Sequence, residues 1–207
     1  MRGEPQLQII DTLRTRGRIT ADEAVLIIGR KISTMRKVAA KRLIVYVASP
    51  LGFTASTRAY LKKHLIPKIR TAGVTTINPW DSGPEIKKLH EDIQKTKNLD
   101  LRRNKWEFFV QKLGKANANS IERADGIVAV LEGTDVDSGT AAEIGYGVGL
   151  GKWVIGYRED FRRTGEDETA EVNLQVEYFV TKSGGIVAHT VTELQNALRK
   201  KTRSKRN

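Results

Sequence analysis

The sequence predicts an α/β fold in which a doubly wound parallel sheet carries helices on both faces. Between residues 43 and 198, short apolar segments with the length of buried strands alternate with longer segments of helical character. Such alternation requires crossover connections, and right-handed crossovers place helices on both sides of the sheet. At 207 residues and 39% hydrophobic content, the chain is long enough for one ordinary domain with its own core.

The predicted elements follow one another in a regular order. They are strand 43–48, helix 56–71, strand 74–78, a long polar and partly helical stretch to residue 123, strand 126–131, helix 138–150, strand 153–157, the apolar piece 185–188 and helix 191–199. Two charged segments interrupt this order, and both are predicted to be loops. They are 158–172 and 81–98, and the second is expected to close over a bound substrate.

Residues 1–42 are predicted to form a small basic helical extension in front of this domain. Two helical pieces, about 6–15 and 20–28, are separated by an Arg-Gly-Arg turn. Thr20 and Glu23 have the spacing of a capping box, in which each side chain accepts a hydrogen bond from the other residue's backbone N–H. We interpret the helix pair as a subunit-packing arm, and a helix-turn-helix is the alternative.

The net charge of +12 is confined to the two ends of the chain. Residues 1–42 carry ten Lys/Arg and four Asp/Glu, residues 199–207 carry six Lys/Arg and no acid, and residues 43–198 carry twenty of each. The domain therefore presents no net basic field to a polyanion, and nucleic acid is expected to bind only through the basic termini. The last nine residues are predicted to be a basic, mobile tail.

The composition argues against several classes of protein. The chain has no cysteine, which leaves no basis for disulfides, thiol catalysis or a zinc ribbon. No apolar stretch approaches the length of a membrane span, and the N-terminus lacks the apolar segment of a signal peptide. Asp135 and Asp137 are possible paired metal ligands, but no histidine lies near them. We therefore expect a cytoplasmic protein with no metal and no other cofactor.

The strongest functional signal is the stretch 137–143, Asp-Ser-Gly-Thr-Ala-Ala-Glu. It follows the apolar run 126–131, so it forms a strand-to-helix turn at the carboxyl end of a parallel strand, where such sheets bind ligands. Asp137 by itself is typical of a helix N-cap. Glu143 has small or apolar neighbours, and a carboxylate desolvated in this way indicates a function. The glycines that follow fit neither the Walker A nor the dinucleotide-binding pattern.

Four separated segments resemble the nucleoside 2-deoxyribosyltransferases, a family that exchanges the base of a 2′-deoxynucleoside through a covalent deoxyribosyl-enzyme. The segments are 45–50 with Phe53, 119–126, 137–146 and 173–174. The resemblance extends over about residues 43–198. It implies a flavodoxin-like sheet of five strands in the order 2-1-3-4-5, with a 2′-deoxynucleoside and a free nucleobase as substrates. It also implies a homo-oligomer whose active sites are shared between subunits.

The resemblance assigns roles to individual residues. Glu143 corresponds to the nucleophile and Tyr46 to the tyrosine that holds it. Asp137 and Asn173 correspond to residues that bind the 5′-hydroxyl of the sugar, and the asparagine is typically lent by a neighbouring subunit. The other candidate substrate contacts are Ser49, Gly139, Phe53 and Trp80. The two aromatic rings are candidates to stack on the base, with plain core or loop packing as the alternative.

The chemistry of N-glycosidic bond cleavage agrees with these residue types. Breaking the bond develops positive charge over C1′ and the ring oxygen, which a carboxylate such as Glu143 can stabilise or trap covalently. Attack by a second base from the same face then gives net retention. A hydrogen bond from Tyr46 would aim one carboxylate oxygen and keep it ionised, although a buried strand tyrosine without such a role is the alternative.

Three further residues bear on the type of reaction. Asn119 stands where many transferases carry an aspartate, and an amide cannot exchange a proton, although it can orient groups by hydrogen bonds. Asp81, after the second strand, is therefore the candidate proton donor for the departing base. Asp137 favours nucleosides, because a carboxylate repels a 5′-phosphate. The alternative functions are an N-glycosidase that hydrolyses 2′-deoxynucleosides or their 5′-monophosphates, and a nucleic-acid-binding regulatory protein.

Overall fold

A computed structural model describes residues 42–81 and 83–205, together with residues 17, 20, 23 and 26. The chain divides into two compact units, Met1–Lys41 and Arg42–Asn207. Most of the two helical pieces predicted in the first unit lies outside the described residues. The capping box is confirmed, because the Thr20 N–H donates to Glu23 Oε2 at 2.7 Å and the Glu23 N–H donates to Thr20 Oγ1 at 3.2 Å.

The second unit is built on a parallel sheet. Its strands are β1 (Ile44–Ala48), β2 (Thr75–Ile77), β3 (Gly126–Val130), β4 (Trp153–Tyr157) and β5 (Val187–Ala188). Their order across the sheet is β2-β1-β3-β4-β5, and every neighbouring pair is parallel. The strand order changes direction between β1 and β3, which is where open parallel sheets form their ligand-binding crevice. The predicted fold class and strand order are confirmed.

Six helical segments connect and cover these strands in the described part of this unit. They are α1 (55–70), α2 (Pro84–Lys95), α3 (Leu99–Arg123), α4 (Ser138–Gly149), α5 (Leu174–Lys182) and α6 (Val191–Ser204). Within α1, one π-helical turn, Leu61–Leu65, separates the α-helical pieces Ala55–Tyr60 and Ile66–Arg70. A short 3-10 turn, Pro50–Gly52, follows β1. None of the described helices has the length and apolar character needed to cross a membrane.

The core has two layers, one on each face of the sheet. Side chains alternate between the faces along a strand, so Val45 and Val47 of β1 pack with α1 and α6, while Tyr46 and Ala48 pack with α3, α4 and α5. β3 is buried along its whole length. Continuous burial of this kind is typical of a parallel strand covered on both sides, and it confirms the predicted helices on both faces.

The segment 81–98 differs from its prediction as a loop, because most of it forms α2. Pro84 stands at the first helical position, where its missing N–H costs nothing. Ile93, nine residues later, is fully buried. Lys105 Nζ lies 2.6 Å from Asp92 Oδ2 and joins α2 to α3. A helical hairpin therefore occupies the place of the predicted closing loop.

The helix α6 also continues past its predicted end at residue 199 into the segment predicted to be a mobile tail. Two contacts of basic side chains account for this extension. Lys201 lies over the ring of Trp153, 5.7 Å from its centroid. Lys205 Nζ pairs with Asp125, whose other oxygen accepts a hydrogen bond from the Ile44 N–H at the start of β1. Residues 206 and 207 lie outside the described part.

Candidate active site

The strand-to-helix turn after β3 is organised by Asp137, which is the N-cap of α4 as its position predicts. Its Oδ2 accepts hydrogen bonds from the backbone N–H of Thr140 at 2.9 Å and from the Thr140 hydroxyl at 3.2 Å. The cap fixes the start of the helix at Ser138. Glu143 consequently lies in the second turn of α4, at the carboxyl edge of the sheet.

Close packing brings α4 near enough to β1 for a direct contact between their side chains. A Cβ added at Gly147 would lie 2.3 Å from the Ile127 side chain, so a larger residue would require that buried side chain to move, and glycine lets α4 approach β3 closely. The hydroxyl of Tyr46, a fully buried residue of β1, then donates a hydrogen bond to Glu143 Oε1 at 2.6 Å. Asn117 Nδ2, from α3, lies 3.5 Å from the same oxygen.

The environment of Glu143 shifts its proton equilibrium. Burial raises the pKa of this carboxyl from 4.5 to about 7; the hydrogen bond from Tyr46 acts in the opposite direction, and the nearby charge of Asp137 adds to the rise. Burial and the charge of Glu143 also raise the pKa of the Tyr46 hydroxyl above its ordinary value. The tyrosine therefore keeps its proton and acts as the hydrogen-bond donor.

Glu143 opens into a cleft of about 650 Å³, which is within the range of ligand sites. One end of the cleft is polar and includes Glu143, Asp137 and Asn117. The remainder is lined mainly by aromatic and aliphatic side chains from the loops after β1 and β2 and from α2 and α3. The aromatic residues are Phe53, Trp80, Trp106 and Phe109. This division suits a ligand with one polar end and one flat apolar end.

Trp80 and Phe53 form a rigid aromatic corner of this cleft. The indole N–H of Trp80 donates to the Ser49 carbonyl oxygen at 2.8 Å. A Cβ added at Gly52 would lie 1.9 Å from the Trp80 ring, so the indole rests directly on this glycine. The Phe53 ring meets Trp80 edge to face at 4.7 Å between centroids, and its side chain is 66% exposed. An exposed aromatic face of this kind is available for stacking.

Most of the residues predicted for the site come together in the structure. Tyr46 bonds the predicted nucleophile directly. The predicted residues that line the cleft are Ser49, Phe53, Trp80, Asp137, Gly139 and Glu143. Asn119, Asp81 and Asn173 do not line it. Among the described residues, no three histidine, aspartate or glutamate side chains are grouped as metal ligands are.

The asparagine that lines the cleft is Asn117 and not the predicted Asn119. Asn119 is exposed on α3, and its backbone oxygen accepts a hydrogen bond from Arg123 Nε. Two residues correspond to about 200° around a helix, so the two asparagines lie on nearly opposite faces. Leu113 and Phe109 line the cleft at intervals of four residues before Asn117. This periodicity was the signal in the sequence that identifies the inward face of α3.

Asp81 lies outside the cleft and is unsuited to donate a proton. It pairs with Lys62 at 2.6 Å, and half of its side-chain surface is exposed. Partial burial tends to raise the pKa of Asp81, but hydrogen bonds from Lys62 and Asn78 outweigh it, so the pKa lies below its ordinary value. A general acid requires the opposite shift. The sequence prediction for Asp81 is therefore wrong in position and in charge state.

Asn173 caps α5 and lies away from the cleft of its own chain. Its Oδ1 accepts a hydrogen bond from the Gln175 N–H, and its Nδ2 donates to Glu166 Oε1 at 2.6 Å. Several cleft residues on α1, α2 and α3 were not predicted. They are Arg58, Lys87, His90, Glu91, Trp106 and Phe109. Because segment 81–98 was predicted to be a loop, the helical face that α2 and α3 present to the cleft was not predicted.

One comparison with a solved structure supports the fold, and two further structures show weaker similarity. A conserved protein from Enterococcus faecalis V583 superposes with a TM-score of 0.57 at 19% identity, covering 78% of this chain and 99% of the other. The 2-desoxiribosyltransferase from Leishmania mexicana gives 0.49 at 18% identity, covering 78% and 97%. The 2-deoxyribosyltransferase from Bacillus psychrosaccharolyticus gives 0.46 at 22% identity, covering 74% and 90%.

Sequence comparison identifies the family. A search of curated protein sequences gives no significant match. The family model for nucleoside 2-deoxyribosyltransferase matches residues 45–176, which include all but the first residue of β1, the Asp137 cap and Glu143. This match spans more than half of the chain, and the chain therefore belongs to the nucleoside 2-deoxyribosyltransferase family.

Proposed function

We propose that this protein transfers the 2-deoxyribosyl group of a 2′-deoxynucleoside from one nucleobase to another, with Glu143 as the nucleophile. The observation that carries the proposal is the 2.6 Å hydrogen bond from buried Tyr46 to Glu143 at the polar end of a nucleoside-sized cleft. Burial makes the carboxylate a stronger nucleophile than an exposed one, and the hydrogen bond directs one of its oxygens.

The reaction proceeds in two displacements at C1′. In the first, a Glu143 oxygen bonds to C1′ while the bond from C1′ to the base nitrogen breaks, and the base leaves with the electron pair. In the second, the nitrogen of an acceptor base bonds to C1′ while the bond from C1′ to the Glu143 oxygen breaks, and the acceptor nitrogen gives up its proton to water. Each displacement inverts C1′, so the product retains the β configuration. Tyr46 stays protonated throughout, and its hydrogen bond to Oε1 holds the carboxylate in a fixed orientation.

Asp137 is assigned to the sugar. Both of its cap hydrogen bonds fall on Oδ2, and among the described residues no group bonds Oδ1. A free carboxylate oxygen accepts a hydrogen bond from a 5′-hydroxyl and repels a 5′-phosphate. This favours nucleosides over nucleoside 5′-monophosphates. Hydrolysis of the same bond is the competing function, and it differs only in having water as the second nucleophile.

The proposal extends to a homo-oligomer in which Asn173 of one subunit completes the cleft of another. Asn173 does not reach the cleft of its own chain, and the helix that it caps exposes Leu174 and Tyr178 by 55% and 54%. On the neighbouring α4, Tyr146 and Leu150 are also exposed, by 41% and 43%. A grouped apolar surface of this kind is typical of a subunit interface.

The oligomeric state can be measured in solution. We expect light scattering to give a mass of at least two chains, because apolar surface on α4 and α5 is removed from water by assembly. The variant Tyr178→Glu should reduce this mass and the exchange activity together, since the charge is buried unpaired at the interface. A monomeric wild type with full activity would contradict the shared site.

The exchange reaction can be tested directly with one deoxynucleoside and a different free base. We expect the wild type to form the new nucleoside, while Glu143→Ala should lose at least about a thousandfold in rate because it lacks the nucleophile. In the absence of an acceptor, the peptide containing Glu143 should gain the mass of one deoxyribosyl group. Glu107→Ala, at an exposed glutamate of α3 outside the cleft, is the matched control.

Release of free deoxyribose without a new nucleoside would identify a hydrolase instead. Substantial exchange by Glu143→Ala would show that Glu143 is not the nucleophile.

The pH dependence should report the ionisation of Glu143. Because only the carboxylate attacks, kcat/KM should fall on the acidic side with a midpoint near 7, the pKa of the buried group. In Tyr46→Phe the hydrogen bond that lowers this pKa is lost, so the midpoint should move to higher pH. Rate profiles from about pH 5 to 9 measure both. A Tyr46→Phe profile that is lower but unshifted would assign the tyrosine a structural role only.

Glu143 is also expected to reduce the stability of the folded protein at neutral pH. Its folded pKa of about 7 exceeds the reference value of 4.5, so between these values the folded state binds a proton that the unfolded chain has lost. Stability therefore falls as pH rises through this window. Glu143→Gln avoids the loss and still accepts the Tyr46 hydrogen bond. Above about pH 7 this variant should be more stable by roughly 1–3 kcal/mol.

Thermal or urea unfolding at several pH values measures the difference. Below about pH 4 the carboxyl is neutral in both states, so the advantage of the glutamine variant should disappear there. An advantage that stays constant across this range would point to packing and not to ionisation.

A further inference from the structure

Arg58 presents an unusual arrangement at the aromatic end of the cleft. It lies on α1 and lines the cleft together with Phe53 and Trp80. Its Nε donates a hydrogen bond to the Gly52 carbonyl oxygen at 2.7 Å, and its Cζ lies 5.9 Å from the centre of the Trp80 ring. Both contacts fix the guanidinium against the wall. Among the described residues, no acceptor bonds Nη1 or Nη2.

The two NH₂ groups of Arg58, Nη1 and Nη2, are held beside an aromatic wall. In this position they have the geometry to donate hydrogen bonds to the edge of a flat base. A guanidinium fork pairs with two adjacent acceptors. In guanine and hypoxanthine these are O6 and N7, which form the commonest bidentate contact of arginine with a base. Adenine carries an amino donor in place of O6, so the same fork meets a donor and one hydrogen bond is lost. Stacking on Phe53 or Trp80 would present this edge to Arg58.

The same contact would stabilise the negative charge that the departing base carries. When the bond from C1′ to N9 breaks, the electron pair stays on the base, whose negative charge spreads over the ring and O6. Asn117 beside Glu143 has no proton to give, and Asp81 is paired with Lys62 outside the cleft. A permanently charged guanidinium at O6 and N7 stabilises this anion without transferring a proton. The base then collects its proton from water after it leaves.

His90, on α2, also lines the cleft, but it packs against a part of α3 that lies far from Glu143. Its ring packs 5.6 Å from Trp106 and 5.9 Å from Phe109 between centroids. Phe109 precedes Asn117 by eight residues, which is about 12 Å along a helix. The base nitrogen that loses its bond to C1′ is directly beside the sugar that Glu143 attacks. His90 therefore faces the outer part of the cleft.

We infer that Arg58 selects 6-oxopurines as the exchanged bases and stabilises the negative charge of the base as it departs. This inference rests on the proposed transfer reaction and adds its substrate class. It assigns to one side chain both base recognition and assistance to the leaving group.

Kinetics with two donors test the inference. We expect wild-type kcat/KM for 2′-deoxyinosine to exceed that for 2′-deoxyadenosine by about tenfold or more, the range of a good bidentate contact. Arg58→Met should abolish this preference, mainly through the rate with deoxyinosine. Arg58→Lys keeps the charge but not the fork, so it should retain part of kcat and lose the preference. Lys63→Met, at an exposed lysine of the same helix outside the cleft, should leave the preference unchanged.

Binding provides a second measurement that needs no turnover. Glu143→Gln should bind deoxyinosine more tightly than deoxyadenosine, and replacement of N7 by carbon in 7-deaza-2′-deoxyinosine should weaken binding about tenfold. Adding Arg58→Met should make all three affinities similar, because the partner of N7 is then gone.

Equal affinities in Glu143→Gln, or a preference for pyrimidine nucleosides, would overturn the assignment of Arg58. Exchange that proceeds without a 6-oxopurine preference would contradict this inference but not the proposed transferase function. Selective binding without any exchange would instead overturn the proposed function.

Discussion

A carboxyl group that is removed from water and placed near a second carboxylate is disfavoured in its ionised form. The arrangement around Glu143 depends on contacts that offset this cost. Burial and the charge of Asp137 both favour the neutral acid, and the hydrogen bond from Tyr46 opposes them. The tyrosine can do so because it stands in β1, which is hydrogen-bonded to parallel strands on both sides. Gly147 completes the constraint by letting α4 approach β3. A rigid strand and a closely packed helix thus hold a buried carboxylate that flexible loops would release to solvent.

The features that could be predicted from the sequence are those set by local patterns or by the segments that resemble the family. Short apolar runs define buried strands, and the Asp137 turn defines a helix start, so the sheet and the polar end of the cleft agree with expectation. The choice between Asn117 and Asn119 depended on how α3 rotates against the sheet. The charge state of Asp81 depended on Lys62, nineteen residues earlier in the chain. The first is indicated only by the four-residue spacing of Phe109, Leu113 and Asn117, and the second is a property of packing between elements that the local pattern around Asp81 does not encode.

The two ends of the cleft are built from different parts of the fold. The polar end stands on β1, β3 and α4, which belong to the tightly packed centre of the sheet. The aromatic end is formed by the loops after β1 and β2 and by the α2–α3 hairpin, where polar and ionic contacts such as Lys105 to Asp92 contribute to the packing. The proposed chemistry therefore stands on the centre of the sheet, whereas the proposed base-binding surface stands on loops and on the hairpin. Arg58 belongs to the aromatic end, and its contacts with Gly52 and Trp80 tie it to the end of β1.

The end of α6 is anchored at the edge of the sheet opposite the cleft. Asp125, which precedes β3, binds both Lys205 and the first backbone N–H of β1, whereas Glu143 and Asp137 follow the other end of β3. A five-residue strand separates the two edges by roughly 16 Å. A linker joined after α6 consequently leaves the molecule on the far side from the substrate entrance. Immobilisation on a resin or fusion to another protein through this end would keep the cleft facing solution.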